Sequence, residues 1–171
     1  MYLEFLLIVN DYFKTLNKKY VFFEWGLPFV IAILIFYLFN GFQILEPAKK
    51  FIDTSITLLG IFVGFSITVI TLLNTANNDN VQEIKKSITE VTIGGRKITL
   101  FQLLLVNMTY SVVVEIISII FNLCLPLFLF KISCNALKII LSLDLFLILH
   151  ILMLTIRNIT DFYFILFKRT G

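Results

Sequence analysis

The chain has 171 residues, of which 59% are hydrophobic and only 15% charged, with a mean hydropathy of +0.97, a balance that excludes a soluble globular domain. Its net charge of +3 is thinly spread, which excludes a phosphate-tracking nucleic-acid surface built from clustered Lys and Arg. One His and two Cys make no His-rich zinc site, and no nucleophile, base and oxyanion group stand together, so no catalytic residue, metal or cofactor is expected.

A membrane span needs about 20 apolar residues. Such runs occupy residues 27–45, 54–75, 98–125 and 139–158. The chain therefore reads as an all-α integral membrane protein, a single membrane domain of four transmembrane helices with an N-terminal amphipathic interfacial helix (1–20) and a small cytoplasmic loop element (76–97). Four spans put both termini and the 76–97 loop on one side. That side holds Lys14, Lys18, Lys19, Lys85, Lys86, Arg96, Lys97, Arg157, Lys168 and Arg169, against Lys49, Lys50, Lys131 and Lys138 opposite. The positive-inside bias then predicts cytoplasmic termini. The start Met1-Tyr2-Leu3-Glu4 lacks the basic region of a cleavable signal, so the N-terminus is expected to be kept.

In the first segment Glu4, Asp11, Lys14 and Thr15 share one helical side, while Phe5, Tyr12, Phe13 and Leu16 group opposite. That pattern suits a helix lying on the membrane surface or one packed on the cytoplasmic end of the bundle. Tyr20 to Trp25 supplies aromatic residues suited to the headgroup zone, and Pro28 suits the first turn of span one.

On span two, Thr57, Gly60, Gly64, Thr68, Thr71 and Thr75 fall within an arc of about 80°. This stripe contains a GxxxG element and predicts close helix packing, within or between subunits. In the loop, Asp79 or Asn80 is placed to cap a short helix with Val81, Ile84 and Ile88 on its apolar side. Val91 to Ile98 then alternates around Gly94-Gly95, the signature of a tight hairpin. Lys85, Lys86, Arg96 and Lys97 make this loop the candidate docking surface for a cytoplasmic protein partner.

Span three carries the strongest signal. Asn107, Ser111, Glu115, Ser118 and Asn122 lie on one helix face within about 80°, a polar seam in an otherwise apolar run. Pro126 is expected to break the helix beyond it. Span four holds Asp144 and His150; His150, Arg157, Asp161 and Lys168 share a face, and Asp144, closer to the outer side, reads as hydrated or paired with Lys138. Ionised groups in hydrocarbon cost at least about 2.5–3.5 kcal/mol, so these groups should face protein or water. Matching depths predict that the seam packs on the Gly/Thr stripe of span two, with Glu115 near His150 in its own or a neighbouring subunit. Cys124 and Cys134 lie towards the outer face and read as unpaired thiols.

This plan, together with the run Leu59-Gly60-Ile61-Phe62-Val63-Gly64-Phe65-Ser66, resembles the KwaA family, the membrane partners of the Kiwa antiphage system. It is also similar in plan to four-span accessory proteins of RNA-targeting CRISPR loci. The resemblance covers the whole chain as architecture and carries over no site residue. It implies a homo-oligomer of the prokaryotic inner membrane, with a tetramer favoured, that senses infection there and signals to a cytoplasmic, DNA-binding effector without touching nucleic acid itself. The residues alone offer an alternative, a small oligomeric ion channel or membrane-perturbing effector with Glu115 lining the path.

Overall fold

A computed structural model describes residues 4–38, 45–76, 79–129 and 132–166. In chain order these form α1 (Glu4–Thr15), α2 (Lys18–Tyr20), a π-helical turn (Val21–Gly26), α3 (Leu27–Leu38), α4 (Leu45–Thr75), α5 (Asp79–Lys86), β1 (Ile88–Ile93), β2 (Arg96–Thr99), α6 (Leu100–Cys124), a 3₁₀ turn (Leu125–Leu127) and α7 (Cys134–Leu166). Four helical stretches, Lys18–Leu38, Glu46–Thr75, Leu100–Leu127 and Cys134–Phe164, are long and apolar enough to cross a bilayer. The chain is a multi-pass, mostly helical membrane protein with a short N-terminal helix and a small hairpin.

Helices α4 and α7 outrun the apolar stretches that announce them. Charged residues such as Lys49, Lys50 and Asp53 are exposed at the end of α4 but leave its backbone ladder intact, so hydropathy locates only the lipid-facing part. The largest difference lies in the first span, where the helix begins at Lys18 and runs through Tyr20 to Trp25 and past Pro28. Pro28 therefore sits inside a continuous rod, directly after the π-turn that makes room for it.

Helix α6 is central, contacting α1, α4, α5 and α7. On α4 the residues that turn inward include Ile52, Ser55, Leu59, Ser66, Val69 and Leu73; on α6 they include Leu104, Met108, Ser111, Glu115, Ser118 and Asn122, while Asn107 and Tyr110 turn towards α1. Both sets recur by alternating steps of three and four, or their sum, the roughly 3.5-residue repeat that interlocks two helices along a shared seam. The Gly/Thr stripe lies on the other side of α4. Thr57, Gly60, Gly64, Thr68 and Thr71 are exposed, and a Cβ added at Gly60 or Gly64 would meet nothing within 4 Å. Within the chain, the seam of α6 therefore does not pack on that stripe as its depth suggested. The reason is local: Thr57, Thr68, Thr71 and Thr75 each bond a carbonyl four residues back in their own helix, so the stripe needs no partner, whereas Ser66 can reach the carboxyl of Glu115.

At one end of the bundle, hereafter the hairpin end, β1 and β2 pair antiparallel with Ile93 opposite Arg96. Gly94 and Gly95 take φ of 59° and 78°, the left-handed pair that a two-residue turn demands. Val81 and Ile84 of α5 turn inward, but Ile88 opens β1 and is exposed instead of extending the apolar side of α5. Strand β2 runs straight into α6 through a capping box of Thr99 and Gln102, and Leu100 N donates to the Ser87 carbonyl at 2.8 Å. At the far end α6 gives way at Cys124 to the 3₁₀ turn containing Pro126, the expected break. Cys124 and Cys134 are free and exposed.

Helix α1 packs on the bundle, one of the two placements its pattern allowed. Tyr12 and Thr15 point inward together, while Phe5, Leu6, Leu7 and Phe13 remain exposed. Removing the cap with Thr99→Ala is expected to cost about 1 kcal/mol, lowering Tm by roughly 2–4 °C in detergent unfolding and loosening the hairpin to protease.

Candidate functional site

The face of α6 that carries polar residues is wholly enclosed. Asn107, Ser111, Glu115, Ser118 and Asn122 are all 0% exposed, and so is Asp144 of α7. Over the 15 residue steps from Asn107 to Asn122 the column rises about 22 Å at 1.5 Å per residue. It divides into tiers, each closed by a different element.

At the hairpin end, α1 closes the column. Thr15 Oγ1 lies within hydrogen-bond distance of both its own helix carbonyl at Tyr12, 2.7 Å, and Asn107 Oδ1, 3.0 Å. Tyr12 stacks flat on Tyr110, ring centroids 3.6 Å apart, and its hydroxyl donates to Glu24 Oε2 at 2.6 Å. Burial raises the Tyr12 phenol above its ordinary range and the neighbouring Glu24 raises it further, so the hydroxyl keeps the proton it donates.

Glu24 is the hub of this end and is 2% exposed. Arg157 Nη1 donates to its Oε1 at 2.8 Å, while the Arg157 guanidinium lies 3.8 Å over the ring of Tyr20 and Arg157 Nε is 3.8 Å from Asp161 Oδ2. The backbone of Glu24 takes part as well. Pro28, four residues on, has no N–H to give the Glu24 carbonyl, and His150 Nδ1 supplies one at 2.6 Å. A carbonyl only accepts, so Nδ1 carries a proton; in the neutral ring Nε2 then accepts from Tyr110 Oη at 3.2 Å. Trp25 packs on the same imidazole, centroids 4.4 Å apart.

Midway along the column, Ser111 and Ser66 both donate to Glu115 Oε1, at 2.8 and 3.2 Å. Farther from the hairpin, Asn122 Nδ2 donates to the Ser118 carbonyl at 3.0 Å and to Asp144 Oδ1 at 2.8 Å. Asn107 Nδ2, Glu115 Oε2, Ser118 Oγ, Asn122 Oδ1 and Asp144 Oδ2 are buried without a hydrogen-bond partner among the described residues.

The column differs from the sequence expectation in two pairings. Both ring nitrogens of His150 are committed to Glu24 and Tyr110, so His150 joins the hairpin-end cluster instead of pairing with Glu115 in its own chain. Asp144 is enclosed and bound to Asn122, where its position suggested a hydrated group. His150, Arg157 and Asp161 do gather on one face, and Lys168 lies outside the described residues. Glu24 escaped notice because it sits in an aromatic stretch that reads as headgroup-facing. Its signal is the proline four residues later, which leaves a carbonyl open inside an apolar helix.

The docking candidates Lys86, Arg96 and Lys97 are exposed, and Lys85 lies over the Phe101 ring at 5.2 Å. A cleft of about 730 Å³ opens beside them, with Lys14, Asn17, Tyr20, Glu90, Arg157 and Asp161 on its walls. Among the described residues no three His, Cys, Asp or Glu side chains are grouped to hold a metal ion. Comparison with family models, curated proteins and solved structures returned no match.

Arg157→Ala leaves Glu24 as a buried, unpaired charge and is expected to cost about 3–5 kcal/mol. The double variant Glu24→Gln/Arg157→Met should recover most of that loss in thermal unfolding, because neither buried charge remains.

Proposed function

We propose that the chain is an oligomeric inner-membrane component of an antiphage defence system, with its termini and hairpin in the cytoplasm, that senses infection at the membrane and regulates a cytoplasmic effector docked at the hairpin end. One observation carries this reading: β2 enters α6 through a capping box with no flexible joint, so the basic hairpin moves with the helix that carries the buried polar column. A disturbance of the spans that shifts α6 is thereby delivered to the exposed groups Lys86, Arg96 and Lys97 and to the mixed-charge cleft beside them. The excess of Lys and Arg on the hairpin side supports the cytoplasmic orientation. The exposed Gly60/Gly64 stripe of α4 suits contact between subunits, because small residues let helix backbones approach closely.

In a second reading the protein passes ions, with Glu115 on the path. The enclosed polar column with orphaned atoms at several depths favours it, since such groups in a membrane interior commonly line an ion route.

The readings separate experimentally. Reversing Lys86, Arg96 and Lys97 to Glu should abolish phage protection and co-purification of an effector encoded beside the gene, while membrane insertion is unchanged. Protection that survives this change sinks the docking reading. Ion flux in liposomes that Glu115→Ala removes and the hairpin changes leave intact supports conduction; no flux from the intact protein rejects it.

A further inference from the structure

We propose that Ser118, Asn122 and Asp144 form a binding site for a dehydrated monovalent cation of sodium size, enclosed between α6 and α7. It stands apart from both functional readings above, because a resident ion need be neither signalled nor transported.

The donor set is read from the hydrogen bonds. The Ser118 carbonyl and the Asp144 carboxylate only accept, so the end of the Asn122 side chain facing them is its NH₂, and the amide orientation is fixed. Both of its hydrogens are then used. What remains is a group of side-chain oxygens, Asn122 Oδ1, Asp144 Oδ2 and Ser118 Oγ, on residues that are each 0% exposed and have no partner for these atoms among the described residues. They are joined through one hydrogen-bonded unit: Asn122 links Asp144 to the turn of α6 that bears Ser118.

Charge separates a cation from a water molecule as the missing neighbour. The bundle gives Glu24 a fixed cation, Arg157, together with the Tyr12 hydroxyl. Asp144 makes no ion pair among the described residues and receives one amide hydrogen bond. A water could donate to the orphaned oxygens, but it would leave an ionised Asp144 uncompensated in the membrane interior; a proton on Asp144 is the competing way to remove that charge, and the salt series below separates it from a bound cation. Hard oxygen ligands with a single negative charge match a small monovalent ion; calcium would require more carboxylates, and a transition metal would require nitrogen or sulfur ligands. Glu115 is a separate case, because two hydroxyls already donate to one of its oxygens.

The test is thermal unfolding of the purified full chain in detergent, in sodium, potassium or choline chloride at equal ionic strength. Sodium is expected to raise Tm over choline by about 2–4 °C, saturating with concentration. Asp144→Asn and Asn122→Ala should lose the sodium-dependent increment. Equal Tm in the three salts, which is what a proton or a water in the site would give, overturns the proposal. So does an increment that persists in Asp144→Asn. Should that variant fail to fold, Ser118→Ala keeps the charge and removes one ligand oxygen; it should raise the sodium concentration at half-effect about tenfold, and an unchanged midpoint overturns the site.

Discussion

A helix that bears Asn107, Ser111, Glu115, Ser118 and Asn122 on one face cannot leave that face in hydrocarbon, and the remaining elements are arranged around its concealment. Helix α1 covers Asn107 with Thr15, α4 reaches Glu115 with Ser66, and α7 meets Asn122 with Asp144. The first two of these contacts join elements far apart in sequence. The polar face therefore fixes which helices are neighbours as well as how deeply they sit, which apolar packing in a membrane specifies weakly, since lipid tails are as apolar as Leu.

The first span illustrates how one residue propagates through the fold. Pro28 removes an N–H, the helix widens into a π-turn, and the Glu24 carbonyl is left for His150. Once His150 is held there, its other nitrogen is committed to Tyr110, and Tyr110 stacks on Tyr12. The Glu24 side chain then draws Arg157 and the Tyr12 hydroxyl into the same cluster. A missing backbone donor in one helix thus ties α1, α6 and α7 together and seats the N-terminal helix on the bundle.

The three enclosed carboxyls are provided for differently. Glu24 has a guanidinium, Glu115 has two hydroxyls, and Asp144 has one amide with oxygens to spare around it. Donation on that scale runs from full compensation to very little, and it falls with distance from the hairpin end. The gradient separates the hairpin end, where the basic surface is attached and the buried carboxylate has a cation, from a far end where Asp144 is met by a single amide.

The sequence by itself determined the four spans, the hairpin at Gly94-Gly95, the break near Pro126 and the fact that α6 carries a polar face, because each follows from local periodicity, turn chemistry or hydropathy. It did not determine what that face meets. Helix α4 presents two stripes of nearly the same 3.5-residue repeat, one of Gly and Thr and one of Ile, Leu, Val and Ser, and periodicity alone treats them alike. Tertiary structure chose the second, since Thr hydroxyls can bond their own helix whereas a buried Glu115 needs a donor from elsewhere. The partners of Glu24, His150 and Asp144 were decided at the same level. Such pairings depend on which helices adjoin and on the angle at which they meet, and neither is written in the spacing of residues along one helix.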